Sequence, residues 1–332
     1  MDCRFKKDKE QIEAFLDSLY GADWLLSSQK WWPKYVYHFT NINNAIQILE
    51  DECLYCRHYL ENRHRMLTDN ASSDVISNTD SQWTKYVRLY FRPKTPTQYR
   101  NEGFRPVNQR YDDAHCPVPV FFLFDAKKVL SQADTKFSDG NLASPKTNVY
   151  ERAEDLEDIP FDEVYHDSWF PPEYRDQIIH HRHAEILIPN RLTLENLSSI
   201  ICRTEAEHET LLNLLSHSAF NKWSKKIGAS KKGNLFYREW LFIEKVNFSE
   251  SHIEIVFNDS NKVYDSFNIK VELKDLANNE KNYKWEKHEY LIPAGKTKKL
   301  RLPPDLTNLY HVQIYFDEQI MYSNDFIYNI PF

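Results

Sequence analysis

The chain predicts an α+β fold, strands and helices followed by a small C-terminal antiparallel β-sandwich. Three observations lead there. Apolar strand-like runs interleave with amphipathic helical ones up to about residue 240. From about Leu241 the pattern becomes period-two segments separated by Asn, Asp, Gly and Pro turns. Hydrophobic residues make up 41% of the 332 positions, which is ample for a sizeable core. The expected division is a helical extension over 1–34, a main domain over 35–240 and an immunoglobulin-like sandwich over 241–332.

Taken in order, Ile12, Phe15, Leu16 and Leu19 keep i, i+3, i+4, i+7 spacing, which gives a helix ending near Tyr20-Gly21. Tyr35–Thr40 reads as a strand, and Ile42, Ala45, Ile46 and Leu49 form the apolar face of a helix capped by Thr40 or Asn41. His38 and Thr40 would then project from one side of the strand end beside a helix N-terminus, a place suited to an anion or polar ligand. Arg57 to Ser81, including Asn70-Ala71-Ser72-Ser73, reads as a long loop. Tyr86–Phe91 is strand-like. It leads into Arg92-Pro93-Lys94-Thr95-Pro96-Thr97-Gln98-Tyr99, where basic and aromatic side chains interleave along a proline-fixed path. The rim of a solvated strand would have the same composition.

Pro117–Asp125 is the most apolar strand and passes into a short helix over Ala126–Leu130. The connection from Ser131 to Asp167 is polar and acidic, consistent with a solvated face. A helical turn after Trp169-Phe170-Pro171-Pro172 reaches Ile179 and delivers the chain to His181–Ile188. Alternation there suits a strand with His181, His183 and Glu185 on one face and Arg182, Ala184, Ile186 and Ile188 on the other. Leu197–Cys202 is a further strand, and Glu205–Leu215 a helix with Leu211, Leu212 and Leu215 inward. Lys222-Trp223-Ser224-Lys225-Lys226 and Lys231-Lys232-Gly233 form a basic linker before the sandwich, whose strands include Ile253–Phe257, Ser266–Leu273 and Tyr310–Phe316.

Only 6 Gly stand against 20 Tyr, 20 Phe and 8 Trp, and neither G-x-G-x-x-G nor a P-loop pattern is present, which argues against a glycine-rich nucleotide fold. A net charge of −7 means that a nucleic-acid partner would need a local basic patch. The cysteines, Cys3, Cys53, Cys56, Cys116 and Cys202, are too scattered for a disulfide framework, and Cys53-x-x-Cys56 lacks a second pair at zinc spacing. Without a signal peptide or a run long enough to span a bilayer, the expectation is a soluble cytoplasmic protein with no membrane partner.

The polar cluster around Glu185 admits three readings. Two histidines and a carboxylate could hold a metal, although nothing else at metal-ligand spacing supports them. A general acid–base pair could serve hydrolysis, although no nucleophile motif accompanies it. The carboxylate alone could stabilise a sugar cation and accept a proton.

His38-Phe39-Thr40 with Asn43 and Asn44, Tyr86-Val87-Arg88-Leu89-Tyr90-Phe91-Arg92-Pro93-Lys94-Thr95-Pro96, the strand Val118–Phe124 and Arg182-His183-Ala184-Glu185-Ile186-Leu187 resemble, in order and spacing, the DarT family of nucleic-acid ADP-ribosyltransferases. The resemblance runs from about Tyr35 to His217 and leaves the sandwich outside. It implies an NAD⁺-consuming transferase on a split mixed-sheet core, with Glu185 catalytic and His38 and Thr40 anchoring NAD⁺. Asn43, Asn44, Tyr86 and Tyr90 would complete the NAD⁺ site. The family's arginine matches Arg63 or Arg65 by distance from His38, and Arg88 or Arg92 by neighbourhood; Arg88 replaces a proline found in many relatives, and is taken with Glu185 as catalytic. Arg92, Lys94, Gln98, Tyr99 and Arg100 are the candidates for a groove holding single-stranded DNA or RNA. The resemblance further implies a toxin of a bacterial toxin–antitoxin or anti-phage system, silenced by a cognate antitoxin. No metal is required by this chemistry. The competing classes are transfer to protein and a non-enzymatic binding module.

Overall fold

The computed structural model describes residues 4–65, 80–111, 114–230, 234–259, 262–278, 281–292 and 296–327. The main region contains β1 (Tyr35–Asn41), β2 (Cys53–Tyr55), β3 (Tyr86–Tyr90), β4 (Pro119–Asp125), β5 (Lys136–Ser138), β6 (Val149–Tyr150), β7 (Glu185–Pro189), β8 (Arg191–Thr193), β9 (Leu197–Cys202) and β10 (Ile227–Ala229). Eight of these form one sheet in the order β10-β9-β4-β1-β3-β7-β5-β6, and β2 pairs with β8 beside it. The β9–β10 pair is parallel and the remaining neighbours are antiparallel.

The apolar run at β4 is explained by its central position, where both faces are covered. Val120, Phe122 and Phe124 enter the main core, whereas Phe121 and Leu123 pack with Tyr37, Leu235 and Phe236 on the other face. Each buried phenylalanine contributes about 1.5–3 kcal/mol through the apolar surface it removes from water. On its other side β1 pairs with β4 along its whole length, from Tyr35↔Asp125 to Asn41↔Pro119. Toward β3, β1 keeps a single register pair, Tyr37↔Tyr90. The sheet therefore splits beyond Tyr37, and the residues from His38 onward border a cleft.

The helix Ile42–Asp51 begins where the pattern predicts, with Asn41 Oδ1 accepting from the Asn43 backbone N–H at 3.0 Å, and it buries Ile42, Ala45 and Leu49. The predicted strand over His181–Ile188 is half helix. Arg175–His181 is helical, and β7 starts only at Glu185. Arg182 N–H donates to Ile178 O, His183 N–H to His180 O and Ala184 N–H to His181 O, so local turns satisfy the backbone where a ladder was expected. Alternation over so short a run does not separate the two cases. His181 and His183 thus share no strand face with Glu185. The expected loop over 57–81 includes a helix, Arg57–Asn62, and a 3-10 turn, Ser81–Lys85. Asn70–Ser73 and Lys231–Gly233 lie outside the described residues.

The C-terminal strands are β11 (Ile243–Phe248), β12 (His252–Phe257), β13 (Phe267–Asp275), β14 (Asn282–Tyr290), β15 (Thr297–Arg301), β16 (Leu309–Phe316) and β17 (Gln319–Ile327). They form sheets β11-β12-β15 and β14-β13-β16-β17. Ile253, Ile255 and Phe257 of the first pack with Ile269, Val271, Val312, Ile314 and Phe316 of the second, in one apolar core continuous with that of the main sheet. Phe104 stands 5.0 Å from Phe267 and 5.2 Å from Phe316, ring centre to ring centre. Tyr322 OH donates to Glu209 at 2.6 Å, and Ser323 N–H to Thr210 Oγ1 at 3.1 Å. No described helix is long and apolar enough to cross a membrane.

Candidate active site

The split between β1 and β3 opens into a cavity of about 480 Å³. Alternation sets its lining. On β3, Val87 and Leu89 enter the core, which leaves Tyr86, Arg88 and Tyr90 to the cavity. On β7, Ile186 and Ile188 do the same and Glu185 faces the cavity. The register Tyr90↔Glu185 sets those two side by side, with Arg88 on the diagonal, opposite Leu187.

Glu185 is 2% exposed, and its Oε2 lacks a hydrogen-bond partner among the described residues. Arg88 Nε lies 3.6 Å from that oxygen. Burial raises the carboxyl pKa to about 7 against the opposing pull of Arg88. The strand end is fixed by Ser138, whose Oγ accepts from Glu185 N–H at 3.1 Å and donates to Gly140 O at 2.9 Å. A buried carboxylate with an unsatisfied oxygen is costly to folding, and such a cost is characteristic of sites that act on a ligand.

His38 Nδ1 is 3.3 Å from the carbonyl oxygen of Arg88. Because a carbonyl only accepts, the ring carries its proton on Nδ1 and leaves Nε2 as an acceptor. Burial lowers its pKa to about 4, so the ring is neutral at pH 7. Thr40, 2% exposed, accepts from Asn44 Nδ2 at 3.2 Å, and both line the cavity. Asn43 is outside the lining.

Two of the four candidate arginines reach the cavity. Arg88 stands beside Glu185, and Arg65, paired to Asp51 at 2.6 Å, also lines it. Arg63 lies over the Tyr59 ring, 5.4 Å from its centre, and is exposed. Arg92 is 1% exposed and spent on structure. It donates to Pro93 O, Val164 O and Asp167, and lies over Trp32. Gln98 is equally buried, donating to Glu102 and to Leu235 O. Neither Arg92 nor Gln98 is therefore available to a surface groove: proline-fixed geometry turns both inward. Lys94 is largely buried, bound to Asn234 and 3.8 Å from Asp167. Tyr99 and Arg100 are exposed, and Arg100 lines the cavity.

The sequence reading missed Asn141, Ser144 and Asp176, which line the cavity from the acidic connection and the helix Arg175–His181. It also missed Trp83, Tyr55 and Tyr111. The loop after β5 is closed by Asp139, which accepts from Asn148 N–H at 2.9 Å and Nδ2 at 2.8 Å. Gly140 lies against the His180 ring, and a Cβ there would overlap it. Asn141 and Ser144 are isolated polar residues in irregular chain, which carries no periodicity, so no sequence signal marked them. Among the described residues no group of three His, Cys, Asp or Glu side chains could hold a metal ion.

A family model described as "ssDNA thymidine ADP-ribosyltransferase, DarT" matches residues 37–237, more than half of the chain. The chain belongs to the DarT family. It is an NAD⁺-dependent ADP-ribosyltransferase, with NAD⁺ as a substrate. Solved DarT-family structures resemble it at low identity. Thermus sp. 2.9 DarT in complex with ADP-ribosylated ssDNA is 17% identical, covering 62% of this chain and 97% of that one at a TM-score of 0.48. The same protein in complex with NAD⁺ gives 16%, 62% and 98%, and a TM-score of 0.46. Thermosipho africanus DarTG in complex with ADP-ribose gives 18%, 65% and 53%, and 0.48. No curated protein matches the chain. The DarT match ends at residue 237, before β11, so the sandwich is additional to it.

Proposed function

We propose that this enzyme transfers one ADP-ribose from NAD⁺ to a base of single-stranded DNA, with Glu185 as the catalytic residue. The observation that carries the reading is the buried Glu185 carboxylate, unsatisfied at one oxygen on a cavity wall, in a chain of this family. Loss of nicotinamide leaves an oxocarbenium-like ribose. A carboxylate held in a water-poor site and hydrogen-bonded to a ribose hydroxyl stabilises that charge, and a pKa near 7 suits it to take the proton from the attacking ring nitrogen. His38 Nε2 and Thr40, steadied by Asn44, would hold the nicotinamide end, with Tyr86 or Tyr90 offering an aromatic face. Arg65 or Arg88 would supply the positive charge that the pyrophosphate requires. DNA rather than RNA as acceptor follows the family description. Modification of bases would harm the producing cell, so a toxin held by an antitoxin partner is the biological role that fits. The sandwich, beginning near residue 241, would be a domain of its own.

The test is incubation with labelled NAD⁺ and separate single-stranded DNA, RNA and protein acceptors, followed by mass mapping of the adduct. Label on DNA that disappears with Glu185→Gln supports the reading. Label on protein or RNA alone would replace the acceptor, and absence of NAD⁺ turnover would remove the reading altogether.

A further inference from the structure

Large apolar side chains left in water are informative where they cluster. Tyr99, Val107, Tyr111 and Tyr264 are 45%, 66%, 43% and 79% exposed, and Arg100 and Lys262 join Tyr111, Tyr99 and Tyr264 into a series. It begins in the cavity. Arg100 and Tyr111 line the cavity together, with the guanidinium 4.3 Å from the Tyr111 ring centre. Tyr99, next in the chain, meets Tyr237 edge-on at 5.2 Å. Tyr99 is also reached from the sandwich, where the Lys262 ammonium stands 5.8 Å from its ring centre.

Gln109 fastens this corner of the sandwich to the main domain, alongside the Lys262 N–H bond to Glu239 O. Gln109 Oε1 accepts from Tyr264 N–H at 3.2 Å and Asp265 N–H at 3.1 Å, and its Nε2 donates to Lys262 O at 3.1 Å. The turn carrying Lys262 and Tyr264 is thereby tied to the loop that leads toward Tyr111. Lys262 is also paired to Glu239 at 2.7 Å, so aromatic surface is the larger part of what this turn offers. Rings in series with interleaved cations are what a polynucleotide without a complementary strand requires. Every base has a face to stack, and cations track the phosphates.

We propose that the sandwich extends the polynucleotide-binding surface, with nucleotides flanking the modified base passing over Tyr111 and Tyr99 to stack on Tyr264. The proposal rests on the reading of single-stranded nucleic acid as acceptor. It gives the sandwich a role in substrate affinity, and it places that contact away from the reacting atoms.

The experiment measures binding of the full chain to fluorescent single-stranded DNA of roughly 6 and roughly 20 nucleotides, alongside transfer kinetics on both. Tyr264→Ala, at a side chain in solvent, is expected to weaken binding of the longer strand about tenfold. KM should rise for that strand with kcat unchanged, and the short strand should be unaffected. Gln109→Ala, which removes three of the bonds holding the turn, should shift long-strand binding in the same direction. Equal loss on both lengths, or unchanged affinity for the longer strand in both variants, overturns the proposal while leaving DNA transfer intact. Failure of the wild-type chain to bind or modify either strand overturns the acceptor reading, and the proposal with it.

Discussion

Arg88 Nε stands 3.6 Å from Glu185 Oε2, close enough to attract the carboxylate charge and too far to donate a hydrogen bond. Burial and this partial pairing pull in opposite directions, and burial wins, leaving the carboxyl near pH 7. The site is thus held in a state that folding alone would not favour.

Glu185→Gln is the direct consequence. Transfer should fall about 10²–10⁴-fold, because a neutral amide neither stabilises an oxocarbenium ion nor accepts a proton. At pH 8 the variant should be more stable than the parent by about 1–3 kcal/mol, since an amide is cheaper to bury than a carboxylate. Thermal unfolding and label transfer on the same preparation check both. A variant that loses activity and stability together would indicate a structural role.

The pH dependence has a definite sign. Glu185 has a folded-state pKa above its ordinary value of 4.5. Its contribution to stability is therefore fully present below pH 4.5 and is lost as pH rises through about 7. In the role proposed for Glu185 the carboxylate is the active form, so transfer should rise over the same interval in which this stability is lost. Arg88 lowers the pKa, so Arg88→Ala should move the acid limb of the rate profile to higher pH. Single-turnover rates between pH 5 and 9 (roughly the range bracketing an apparent pKa near 7) would show this, and a limb that does not move in Arg88→Ala would dissociate the two residues.

The arginines can be separated by binding. Arg65→Ala should weaken NAD⁺ about tenfold, the cost of a lost charge-assisted contact. Arg63→Ala, outside the cavity, should leave it unchanged. Titration calorimetry with NAD⁺ measures both.

Gly140 makes a packing prediction. Alanine there would drive a methyl into the His180 ring, costing about 1–3 kcal/mol and shifting the loop that carries Asn141 and Ser144. His180→Ala in the same chain should recover most of the stability, which a double-mutant cycle by thermal unfolding tests.

Much of this was legible in the residues themselves. Strand-like apolar runs located β1, β3 and β4, period-two patterning located β12, β13 and β16 of the sandwich, and the turn chemistry around Asn41 located the helix that follows β1. His38, Thr40 and Glu185 could be singled out because a residue type in a motif is a local property, and all three line the cavity. What escaped depends on tertiary context. Arg92 and Gln98 look like groove residues in a basic, aromatic stretch, yet burial against Val164, Asp167 and Glu102 consumes both. Strands of two or three residues such as β5 and β6 exist only because β7 pairs with β5, and no window of sequence can report that. His181 and His183 alternate with Glu185 as a strand would, and only the backbone bonds of the preceding turn exclude it.

The single Tyr37↔Tyr90 pair has one more effect. Where β1 parts from β3, the two strands are joined instead by a side chain, His38 Nδ1 on Arg88 O. His38 thus clasps the two strands as well as lining the cavity, so removing its ring should loosen the mouth of the split along with any hold on NAD⁺.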